Sequence, residues 1–273
     1  MEEKISIQRG TEPIVQTQQS VSSFDFPTQV ISLPSEGKVY PKSNPLSSGK
    51  LEIKYMTARE EDILADRNLI NKGVVLQKLL ESIVVQKDVN VNDLIIGDIN
   101  AVYLATRMLG YGSDYDVEIT DPFSGETQKV KIDLSEIQTK DVDLNFLNEE
   151  NKYKFFLPIS KKEIEFKFLT HKDEKDINAE IQALERLNKG KVAGSEITTR
   201  LKYMLLSVEG NTDRAFINKF ATNMLAGDNK AFRQHLKNIS PDLDLTFKFT
   251  SEVTGETEAL DIPFGVNFFY PSN

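Results

Sequence analysis

The chain has no cysteine, no tryptophan and only two histidines, His171 and His235. Without thiols there is no disulfide, no thiolate nucleophile and no thiolate metal site. His171 sits beside Lys172 at an expected helix start, and His235 lies inside the helical run AFRQHLKNI. Neither has a nucleophile placed for it to activate, so both read as surface or core-edge histidines. Long basic runs are missing too. The formal net charge is -9, so phosphate neutralisation, which dominates nucleic-acid binding, is not expected. No apolar run approaches the roughly 20 residues that span a bilayer, and the opening MEEKISIQRG is too polar for a signal peptide. These features lead us to expect a protein that is cytosolic where it is made, with no membrane partner.

What is present suits a globular protein. Hydrophobic residues make up 39% of 273, enough for one large domain or two of ordinary size. Residues 1–28 are rich in Gln, Ser and Thr and cannot repay their ordering entropy alone, so they read as a disordered or partner-ordered arm. A looped entry punctuated by Pro34, Gly37, Pro41, Pro45 and Gly49 follows. The chain then settles into a strand in which Leu51, Ile53 and Tyr55 alternate with Glu52 and Lys54. Thr57 and Glu60 have the Thr-x-x-Glu spacing of a capping box, which predicts a helix start. Helical spacing recurs over 73–85 and 98–109, and 214–225 reads as a further core helix. Alternating Val117 and Ile119, then Val130, Ile132 and Leu134, flank the turn DPFSGET and predict a β-hairpin.

The second half repeats this plan. LEIKYMT (51–57) returns as IEFKFLT (164–170), each with Lys at its fourth position and a closing Thr. Asp173 stands where the second capping partner belongs, with a shorter reach than Glu. Leu33-Pro34-Ser35 returns as Leu157-Pro158-Ile159, and LLESIV (79–84) as MLLSVE (204–209). Residues 97–134 align with 227–264 at a constant offset of 130 with nine identities in 38 positions. Because the match needs no gap and keeps the turn residues, it favours duplication over chance. We therefore expect an α+β fold built as a tandem duplication. Each half is a strand leading into helices and closed by a hairpin of zinc-ribbon shape without metal. The expected units are 29–137 and 153–273, joined by a charged connector over 138–152.

The hairpin turns Asp121-Pro122-Phe123-Ser124-Gly125 and Ser251-Glu252-Val253-Thr254-Gly255 have the outline of a C-x-x-C-G knuckle. None of their side chains is a thiolate or imidazole, so no metal and no cofactor is expected. GYGSD (110–114) follows a helix and precedes a strand, the reverse of a phosphate loop. Glu60 and Glu61 are adjacent carboxylates at a helix start, where the dipole favours negative charge. No catalytic residue stands out. At the C-terminus Phe264, Phe268, Phe269 and Tyr270 cluster ahead of Pro271. Such a cluster folds back into the core or anchors a partner, and these four are the candidate partner-binding residues.

The order of the motifs resembles one family. LPSEGKVYP precedes the strand and TAREEDIL; GDINAVYLATRMLGYGSDYDVEI leads into the hairpin; FFLPISKKEIEFKFLT, LLSVEGNTD, ISPDLDLTF and IPFGVNFFYP follow. Together they resemble the baseplate proteins of T-even-like bacteriophages, the family to which the baseplate hub subunit or hub assembly protein belongs. The resemblance implies Cys pairs at the hairpin turns of relatives; Asp121/Ser124 and Ser251/Thr254 stand here instead. It further implies a tail baseplate (hub) assembly protein, acting by protein-protein binding as assembly chaperone or hub component. Its partners would be other phage tail proteins, hub and tape-measure proteins among them. Its place would be the host cytoplasm during assembly, or the virion baseplate. The alternatives are a permanent structural protein of the tail and a degenerate zinc-ribbon nucleic-acid binder.

Overall fold

A computed structural model of the chain describes residues 26–187 and 196–270. Most of the expected N-terminal arm, residues 1–25, lies outside the described residues. Its last expected residue, Thr28, opens strand β1 (Thr28–Ser32). This strand pairs antiparallel with β2 (Lys50–Lys54), Ile31 opposite Leu51 and Gln29 opposite Ile53. The predicted alternation is realised in β2, whose Leu51 and Ile53 are fully buried. The loop between the strands closes tightly at Gly37, at φ +78°, where a Cβ would lie 2.5 Å from the Ser47 carbonyl oxygen. Only glycine tolerates both the left-handed backbone and that approach.

Helices α1 (Ala58–Ala65), α2 (Arg67–Asn71), α3 (Val75–Ile83) and α4 (Ile96–Tyr111) follow. The predicted capping box opens α1: the Thr57 amide donates to Glu60 Oε2 at 2.9 Å. The first hairpin then pairs β3 (Asp114–Thr120) with β4 (Thr127–Asp133). The second half opens with β5 (Tyr153–Phe156) and β6 (Glu163–Phe166). It continues through α5 (His171–Leu187), α6 (Glu196–Met204) and β7 (Leu205–Val208), and β5, β6 and β7 form one antiparallel sheet. Helices α7 (Arg214–Thr222) and α8 (Ala226–Ile239) lead to the second hairpin, β8 (Thr246–Thr250) with β9 (Thr257–Asp261). A 3-10 turn over Val266–Phe269 ends the described chain. The architecture is mixed α+β with small antiparallel sheets, as the sequence leads one to expect.

Several local arrangements occur in both halves. Lys54 pairs with Glu60 at 2.7 Å, and Lys167 with Asp173 at 2.7 Å. The Thr170 amide and hydroxyl both donate to Asp173 Oδ2 at 2.9 Å, so the shorter acid still reaches the cap. LLESIV and MLLSVE differ, however. Leu79–Ile83 belongs to α3, whereas Leu205–Val208 is strand β7 on the edge of β6. In the first half β2 has, in place of a third strand among the described residues, an isolated bridge between Ile53 and Val84 and a bond from the Glu52 amide to Gln86 Oε1. Apolar pattern alone does not separate a short buried strand from a buried helical turn.

The halves share one continuous core, running from Leu46, Leu51, Leu80 and Val102 to Ile164, Phe166, Phe232 and Phe268. Backbone bonds also cross between them. The His171 amide donates to Leu94 O at 2.8 Å, and the Ile96 amide to Leu169 O at 3.2 Å. The stretch expected as a connector is itself tied down: Lys140 N donates to Asp242 O, and Asp244 N to Gln138 O, both at 2.8 Å.

Candidate functional site

The two hairpin turns meet. In the first, Asp121 folds over its own turn: Oδ1 accepts from the Phe123 amide at 2.8 Å, and Oδ2 from Ser124 Oγ at 2.8 Å. In the second, Ser251 Oγ accepts from the Val253 and Thr254 amides at 3.2 and 3.0 Å. Ser251 Oγ in turn donates to Asp121 Oδ2, so the leading residues of the two turns touch. Both residues are buried. Burial pushes the Asp121 carboxyl up, but hydrogen bonds from Ser251, the Phe123 amide and Ser124 outweigh it and hold the group below its ordinary value. A carboxylate and hydroxyls form the joint between the turns. At the tips beyond it, Phe123 and Val253 are exposed. The contact between the turns is invisible in either turn alone. The offset of 130 that relates Asp121 to Ser251 was its only trace in the sequence.

Two further carboxylates hold helix starts to distant loops. Asp98, in the first turn of α4, accepts from the Ser35 amide at 3.0 Å, from Ser35 Oγ at 2.7 Å and from the Tyr40 hydroxyl. Its complete burial raises the pKa to about 6 despite those bonds. Asp228, in the first turn of α8, accepts from the Ile159 and Ser160 amides at 2.7 and 3.0 Å. Burial pushes this carboxyl up, and the hydrogen bonds bring it below its ordinary value. Both acids satisfy loop amides that would otherwise be orphaned, and both stand at the N-terminal end of the helix dipole.

The C-terminal cluster is folded back, one of the two possibilities open from the sequence. Phe268 and Phe269 are fully buried, while Phe264 and Tyr270 are half-buried. Phe268 meets Tyr115 edge-on at 5.1 Å, and Phe269 meets Tyr103 edge-on at 5.7 Å. Arg107 of α4 fastens the tail. Its Nε donates to Phe268 O, and its other nitrogens to Gly112 O and Asp114 O, each at 3.0 Å. Nothing in the sequence around Arg107 marked it out, since its acceptors are backbone carbonyls up to 161 residues away.

The histidines stand apart from this assembly. His171 is buried at the start of α5, and burial lowers its pKa first of all. His235 stacks on Phe155 at 4.5 Å. Among the described residues no group of three or more His, Cys, Asp or Glu side chains could hold a metal ion, and no helix is long and apolar enough to cross a membrane.

These features define an α+β protein in which buried polar groups tie loops, turns and tail together. The model of the T4 bacteriophage base plate protein family matches residues 27–269. The chain belongs to that family. Comparison with curated proteins and with solved structures gives no match.

Proposed function

We propose that the chain is a tail baseplate (hub) assembly protein that works by binding other tail proteins, as an assembly chaperone or a hub component, and not by catalysis. The observation that carries this reading is the family match over nearly the whole chain. The polar chemistry is in keeping with it. The buried carboxylates Glu60, Asp98, Asp121 and Asp228 each accept hydrogen bonds from the chain's own groups, the pattern of a scaffold. As a chaperone the chain would cover apolar or edge-strand surface on a partner until the correct neighbour displaces it. The host cytoplasm during assembly is then its place of action. Of the tail residues, Phe264 and Tyr270 keep exposed surface for a partner, with Phe268 and Phe269 as their anchors.

The same reading takes the chain as a tandem duplication, with units 29–137 and 153–273, connector 138–152 and hairpins of zinc-ribbon ancestry. What supports it is the recurrence of three contacts at matching positions: Lys54–Glu60 and Lys167–Asp173, Asp98 and Asp228 on their loops, Asp121 and Ser251 in their turns.

Co-expression with hub and tape-measure proteins, followed by affinity purification, tests the binding role. A stoichiometric complex with either is expected, and its absence with both would sink the proposal. Mass spectrometry of purified particles then separates the two forms: presence favours a hub component, absence a chaperone.

A further inference from the structure

We propose that the groove between β4 and β8 is a docking slot for one extended segment of another tail protein, which enters as a strand between the two hairpins. The inference rests on the binding role argued above. The groove encloses about 340 Å³ and is lined by the consecutive residues 130–133 and 246–248. A strand that shows a groove one face contributes alternate residues, because successive side chains point to opposite sides. Consecutive residues mean that the backbone edges form the walls. Each of these strands is paired on one side only, β4 with β3 and β8 with β9, and with no other described strand. Both walls therefore offer unpaired N–H and C=O groups.

The ends of the groove show how it is held open. At the turn end the Gln128 side chain bridges the gap: Nε2 donates to Thr250 O, and Oε1 accepts from the Glu252 amide, both at 3.0 Å. A side-chain amide here donates to one backbone carbonyl and accepts from one backbone amide, the two kinds of bond that the N–H and C=O of one residue of an intervening strand would make. At the other end the Asp244 amide reaches Gln138 O, and Thr139 bridges Leu243. The strands thus run antiparallel, joined at both ends and unpaired between. Direct pairing would close them to about 4.8 Å and leave no groove.

Chemistry selects the occupant. Ile132 and Ile262 are buried along the groove and Phe247 is half-buried, so the floor is apolar. On the rim Lys131 and Lys248 stand against Asp133, Glu136 and Asp244, one acid in excess, so a strongly acidic segment is disfavoured. The fitting partner is an extended segment of about five residues, apolar at alternate positions. Main-chain bonds would supply affinity and the floor would supply selection, as in other strand additions.

The lack of native cysteine allows clean labelling. Lys248→Cys carrying bimane would be titrated with overlapping short peptides that tile the other baseplate proteins of the same phage. Peptides with alternating apolar residues are expected to shift the bimane emission and to slow amide exchange in β4 and β8. Thr246→Arg, an exposed position whose longer side chain fills the slot, should weaken that binding by at least about tenfold while circular dichroism stays unchanged. The proposal fails if no peptide protects the two strands, if Thr246→Arg binds as well as the parent, or if only a peptide of residues 1–25 or a second copy of the chain protects them. If the parent and Thr246→Arg co-purify equally with tail proteins, the slot is not the contact and the binding role stands. If the parent co-purifies with none, the binding role itself falls.

Discussion

Glu60 and Asp98 are both carboxylates without solvent exposure, yet burial acts on them with opposite net results. Burial pushes Glu60 up, but hydrogen bonds from Lys54, Ser82 and Thr57 outweigh it and hold the group at about 2. Its folded value lies below the ordinary 4.5, so its contribution to stability is present above that value and is lost as pH falls toward about 2. Removing one partner of such a pair strands the other, so Glu60→Ala should cost about 3 kcal/mol in a urea titration at neutral pH. Asp98 has no cation among its hydrogen-bond partners, and burial dominates. Its folded value, about 6, lies above the ordinary 3.8. The folded state therefore binds the proton more tightly, and this residue's contribution falls as pH rises from 3.8 to about 6. In Asp98→Asn that decline should disappear from the pH dependence of the unfolding free energy, while the acid-side loss due to Glu60 remains. A decline unchanged in Asp98→Asn would show that another group causes it. The capping role of Glu60 was legible from Thr-x-x-Glu; its ion pair with Lys54 was not, because the pair depends on how β2 meets α1.

At the scale of elements, the Gly-Asp pairs that open α4 and α8 look alike in sequence but sit in different surroundings. A Cβ on Gly97 would collide with the carbonyl oxygen of Pro241, a backbone atom of the other half. On Gly227 it would meet only the end of the Ile159 side chain, which has rotamers to yield. Gly97→Ala should therefore destabilise by about 3 kcal/mol and Gly227→Ala by about 1 kcal/mol or less, in chemical denaturation of the two variants. Equal costs would mean that the approach of Pro241 to α4 is not tight. The hairpins offer a second case. Asp121→Ala removes the acceptor for Ser251 and for its own turn. Amide exchange in both turns should then rise together, whereas Ser124→Ala should loosen the first turn alone. Alternation and turn residues announced both hairpins. The weak strands β1 and β7 were not legible because β1 is largely exposed and β7 continues directly from α6, so neither carries a clean period of two.

Over the whole molecule, the C-terminal tail binds the end of the chain to its first half. Arg107 is buried and donates to three carbonyls, and Phe268 and Phe269 fill the space between Tyr115 and Tyr103. Arg107→Met keeps the bulk but leaves those carbonyls without a donor. It should cost about 3 kcal/mol and expose the tail to carboxypeptidase digestion. Phe268→Ala should cost about 3–5 kcal/mol by leaving a cavity in the shared core. If digestion of Arg107→Met stays as slow as in the parent, packing of the rings alone retains the tail. With one core running through both halves, a single cooperative unfolding transition is expected in chemical denaturation.

The sequence by itself determined the local units: the strand and cap at Thr57 and Thr170, the helical stripes, the two hairpins and the exclusion of thiol chemistry. These depend on neighbours a few residues apart, where spacing and side-chain type settle the geometry. Tertiary structure alone decided which units meet. The contact of Asp121 with Ser251, the grip of Arg107 on the tail and the bonds at the two ends of the groove between β4 and β8 join residues more than a hundred positions apart. No period or motif encodes such a distance; it follows from how the buried faces of two half-chains fill one another.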